Sequence, residues 1–123
     1  MAARWAIPLL LRQAQLHSQG DWKPSLLVTS SLLPVDPIPE LFALSMVKAA
    51  QANLVKSLVK TFTARGVHIG LVVAGGLVSS DAPALNPINI AEQAWKFFAQ
   101  ERNDWTAQVA VYADGIVSWN SQI

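Results

Sequence analysis

The sequence predicts an α/β domain: a three-stranded parallel sheet with helices on both faces. Three observations carry this. Two short apolar runs, one around Leu26, Leu27 and Val28 and one over residues 67–73, are continuous rather than alternating, the pattern of strands covered on both sides. Stretches with helical spacing of apolar residues stand before, between and after them. The resulting order is helix, strand, helix, strand, helix, strand, which crossovers turn into a parallel sheet. With 123 residues, 52% hydrophobic and 14% charged, the chain has the makings of one packed domain rather than a disordered segment.

Residues 2–17 predict the first helix, with Trp5, Leu9 and Leu16 near helical spacing. Pro8 either kinks it or marks a late start. Gly20 is a candidate cap at its end. Residues 25–30 are the first strand. Pro34, Pro37 and Pro39 then hold residues 31–39 in a loop.

Residues 40–65 predict a long second helix. Its apolar stripe runs through Leu41, Leu44, Met46 or Val47, Leu54 or Val55, Leu58 or Val59 and Phe62. Glu40 suits its start, and Arg65 with Gly66 its end. Residues 67–73 are the second strand, and 74–87 a long loop opening on Ala-Gly-Gly. Residues 88–101 predict a third helix with Asn89 as N-cap and Ile90, Ala91, Ala94, Trp95 and Phe98 inward. Residues 106–112, which alternate more, predict a third strand at a sheet edge. Residues 113–123 read as turn and tail, leaving 1–112 as the domain.

Composition excludes several functions. A net charge of +1 gives no electrostatic case for nucleic acid. With no cysteine there is no disulfide, thiolate metal site or cysteine nucleophile, which favours a reducing, cytoplasmic location. The six-residue apolar run 6–11 is shorter than a signal-peptide core, and no run approaches the ~20 residues of a membrane span. His17 and His68 lie far apart, and Asp36, Glu40, Asp81 and Glu92 form no recognisable pair.

Five stretches, taken in order, resemble the C-terminal half of the short-chain dehydrogenase/reductase family. AIPLLL resembles the end of the helix before that family's fifth strand. SLLVTSS resembles the strand that delivers the catalytic serine. LSMVKAAQANLVKSL resembles the Tyr-x-x-x-Lys helix. GLVVAGGLVSS resembles the strand end that meets the nicotinamide, and NPINIAEQAWKFFAQ the helix after it. The resemblance implies a partial Rossmann-like three-layer fold and NAD- or NADP-dependent oxidoreduction of a small carbonyl or alcohol.

Position by position, the resemblance makes Ser31 and Lys48 the catalytic residues, and Lys48, Gly76, Val78 and Ser80 the cofactor-binding ones. The catalytic tyrosine's position, thirteen residues after Ser31, is Leu44, so the general acid is missing. The family's structural asparagine has no counterpart before Asn53, and Gly75 stands where it has proline. No glycine-rich strand-to-helix turn is present to cradle a pyrophosphate. Two readings follow: a truncated short-chain dehydrogenase-like oxidoreductase with impaired or lost activity, or a non-catalytic remnant that serves as a dimerising or interaction domain. The family's use of the first two helices in a four-helix interface implies a homo-dimer or homo-oligomer in either case.

Overall fold

A computed structural model describes residues 2–18, 20 and 22–123. Helix α1 (Ala2–Leu16) leads into strand β1 (Ser25–Ser31). Pro8 lies inside α1, which continues through it. A 3₁₀ turn (Pro39–Leu41) opens helix α2 (Phe42–Phe62), and a second (Thr63–Arg65) closes it at Gly66, whose φ of 90° is the left-handed cap that glycine suits. Strand β2 (His68–Gly75), helix α3 (Pro87–Phe98) and strands β3 (Gln108–Tyr112) and β4 (Val117–Asn120) complete the chain.

The sheet has four strands in the order β1-β2-β3-β4, not three. The first three are parallel, and β4 returns antiparallel on β3. Residues 113–123 are therefore not a tail. Asp114 and Gly115 form a turn: the Gly115 N–H donates to the Tyr112 carbonyl (3.1 Å), and Asp114 Oδ1 accepts from the Ile116 N–H (3.0 Å). Gly115 has φ 89°, a value that costs glycine little and other residues much. It follows that β3 is not an edge strand; its Val109, Ala110 and Val111 are buried.

The outer edge of β1, by contrast, is unpaired within the chain. Helices do cover both faces. Val67, Ile69, Leu71 and Val73 pack with Ile7 and Ala14 of α1 and Ala52 and Val55 of α2. On the other face Val72 and Val109 pack with Phe97 of α3. The continuous apolar run of β2 thus serves two cores at once, alternate residues feeding each.

Helix α3 starts one residue earlier than its apolar pattern suggests, and its cap is Asn86 rather than Asn89. The Asn86 side chain accepts from the Asn89 N–H (2.8 Å), with Pro87 at the first helical position, where its missing donor costs nothing. Its inner face is also rotated. Gln93 and Phe97 are buried, with Ile90 and Ala94 beside them, while Ala91, Trp95 and Phe98 face outward. Phe97 wins the inner position because Gly70 leaves room for its ring against β2: a Cβ there would lie 2.5 Å from the Phe97 Cζ.

Candidate functional site

Strand register places the site. Ser31 lies opposite Ala74, and Gly75 opposite Tyr112, so the C-terminal ends of β1, β2 and β3 form one rim. That is where open α/β sheets bind their ligands. A cavity of ≈ 340 Å³ opens on this rim, bounded by Ser31 and Leu32 of the β1 end, Ala74 and Gly76 of the β2 end, and Leu41 at the start of α2.

Ser31 Oγ accepts a hydrogen bond from the Leu33 N–H (3.3 Å). Its own proton is then free to be donated to a ligand in the cavity. Lys48 lies seven residues before the buried Val55 and seven after Leu41, so the three share one stripe of α2. Its ammonium donates to Gln51 Oε1 (3.4 Å), one turn on, and the side chain is half-buried. Leu44, one turn before Lys48, is 45% exposed. Nothing at that position can give or take a proton.

The other residues singled out by sequence do not gather at this rim. Val78 is largely exposed on the loop after β2. Ser80 lines a separate cavity of ≈ 530 Å³ with Pro83, Asn86 and Glu92. Gly76 is accounted for by packing, since a Cβ there would lie 2.9 Å from the Leu85 Cδ1. Among the described residues no group of three or more His, Asp or Glu could hold a metal ion. No helix of the described residues is long and apolar enough to cross a membrane.

A short-chain dehydrogenase from Rhodopseudomonas palustris has a similar structure: TM-score 0.64 at 18% sequence identity, covering 88% of this chain. The chain has a short-chain-dehydrogenase-like fold. It spans 41% of the length of that dehydrogenase. No protein-family model matches the sequence, and no curated protein matches it. The likeness therefore rests on architecture.

The family resemblance of the sequence implies a nicotinamide dinucleotide, and the residues present do not fit one as a whole. Ser31 and Gly76 meet in one cavity, but Val78 and Ser80 point elsewhere. Gly75 and Gly76 are filled against by Tyr112 and Leu85, so they form no open backbone cradle for a phosphate.

One further residue of the rim escaped sequence reasoning, and a buried histidine lies away from it. Tyr112 at the end of β3 lines a second cleft with Ser30, Ser31 and Lys56. The parallel pairing of β3 with β2 sets Tyr112 opposite Gly75, and no local spacing in the sequence signals such a cross-strand register. His68 is 1% exposed at the other end of β2, stacked on Trp105 with ring centroids 4.8 Å apart. It belongs to the core under α3, not to the rim.

Proposed function

We propose that the chain carries part of an NAD- or NADP-linked carbonyl/alcohol oxidoreductase site of the short-chain-dehydrogenase type, and that this chemistry is lost in it. The observation that carries the reading is positional. Ser31 ends β1 at the rim cavity, Lys48 lies on the inward stripe of α2, and the residue one turn before Lys48 is leucine. Turning a carbonyl into an alcohol requires a proton delivered to oxygen, and Leu44 has none to give. Ser31 can still donate a hydrogen bond to a carbonyl oxygen, and Lys48 still stands one turn after Leu44 on α2, its ammonium turned to Gln51. The site keeps groups that would orient a substrate and lacks the one that would turn it over. Purified protein mixed with NADH or NADPH and a panel of aldehydes and ketones is expected to show no turnover above the protein-free rate. Turnover that survives repurification would overturn the reading.

A second reading has its own support: a self-associating or interaction domain. Phe42, Met46 and Val47 of α2 are each at least 64% exposed, and Trp5 of α1 is 74% exposed. An apolar groove of ≈ 600 Å³ runs between Val47, Leu54 and Leu58 of α2 and Leu26 and Val28 of the unpaired strand β1. Surfaces this apolar next to an open strand edge are characteristic of contact sites.

A further inference from the structure

Ser30 is 8% exposed, and its hydroxyl has no hydrogen-bond partner among the described residues. An unpaired buried hydroxyl costs free energy unless something the protein binds completes it. By strand alternation Ser30 stands with Leu26 and Val28 on the α2 face of the sheet. It lines a cleft of ≈ 250 Å³ between α2, the sheet and the segment after β4.

The walls of the cleft are of two kinds. Its floor is apolar, formed by Leu71 and Val73 of β2 with Ala52 of α2. Its rim is polar. Lys56 projects from α2 one turn after Ala52, and Gln108 and Asn120, paired directly across β3 and β4, present two amides. The Ser30, Ser31 and Tyr112 hydroxyls and the Gln122 amide complete the rim. Lys56 is the one charged side chain lining the cleft, no Asp or Glu lines it, and Lys56 makes no salt bridge among the described residues. One cation, three amides and three hydroxyls over an apolar floor suit an anionic head on a short apolar body.

We propose that this cleft binds a small monocarboxylate with a short aliphatic tail, the carboxylate meeting Lys56 and the Ser30 hydroxyl, the tail lying on Leu71 and Val73. The volume equals roughly eight times the ~30 Å³ a water occupies in the liquid, room for about four to six carbons. The site shares Ser31 at its edge with the dehydrogenase-like reading but does not depend on that reading: it uses neither Lys48, Leu44 nor the Gly76 loop.

The test is a titration of isotope-labelled protein with sodium butyrate, followed by backbone and side-chain NMR shifts. Butyramide, the same size without the charge, and sodium phosphate, an anion without a tail, are run alongside. Butyrate should give saturable shifts at Ser30, Gln108 and Asn120 at millimolar concentration, as befits so small a ligand, and the two comparison compounds much weaker ones. Lys56→Met should weaken butyrate binding about tenfold, the loss of one charge-assisted contact. Ser30→Ala should weaken it several-fold while leaving the other amide shifts of the free protein in place. Absence of saturation, equal responses to butyrate and butyramide, or unchanged affinity in folded Lys56→Met would each overturn the proposal and leave the cleft a hydrated cavity.

Discussion

His68 shows how a single side chain ties chemistry to stability. Its Nε2 lies 3.0 Å from the Thr106 carbonyl, which can only accept, so Nε2 carries the proton. Nδ1 is then a buried lone pair without a partner. Burial is the main force holding the imidazole pKa below 6.5, helped by the nearby Lys23 ammonium and opposed by the Thr106 carbonyl. The unfolded chain therefore binds this proton at a higher pH than the folded one. Stability is full above pH 6.5 and falls as pH drops through 6.5 towards the lower folded value. Melting temperatures from pH 8 down to pH 5 should show that step, and a His68→Gln variant should lack it; superimposable curves would remove His68 as its source. Gly70 makes a sharper steric case. An added Cβ would lie 2.5 Å from both the Ala107 carbonyl oxygen and the Phe97 ring. Gly70→Ala should lower unfolding free energy by about 1–3 kcal/mol in urea titrations, and a neutral result would mean that Phe97 can move aside.

At the scale of elements, helices and strands were legible where local chemistry decides them. The glycine stop at Gly66 and the start near Pro39 could be read directly, because caps and prolines act within a turn. The rotated face of α3 could not, since Trp95 and Phe98 are as apolar as Phe97 and only the space above Gly70 selects among them. Strand β4 did leave a signal, Asp114-Gly115 before Ile-Val-Ser-Trp, which reads as a turn into a second strand. The site was legible only in part. Ser31 could be placed at a strand end, but the cleft around Ser30 and Tyr112 depends on cross-strand register. Two measurements probe this scale. Asn86→Ala removes the cap of α3 and should cost about 1 kcal/mol. Deleting residues 113–123 uncovers β3, removes the Trp119 ring that meets Phe97 edge-on (6.1 Å) and takes Ile123 off the core. The shortened protein should lose its cooperative melt and aggregate; a sharp melt near that of the intact chain would show β4 to be dispensable.

The whole molecule is a short-chain-dehydrogenase-like sheet whose two outer strands, β1 and β4, have unpaired edges among the described residues, with an exposed apolar helical face beside β1. Such a surface favours self-association, so light scattering coupled to size exclusion should give a mass above 13.3 kDa. Val47→Lys together with Trp5→Glu should shift it towards the monomer without lowering the melting temperature of dilute protein. A strict monomer at high concentration would discount the interaction reading. The oxidoreductase reading faces a simpler test. The rim joins Ser31 to Gly76 but supplies neither a proton donor at Leu44 nor a phosphate cradle. Isothermal titration of the purified chain with NADH and with NADPH measures this most directly. The account predicts no saturable heat and no rise in melting temperature at millimolar cofactor; tight, saturable binding of either nucleotide would contradict it.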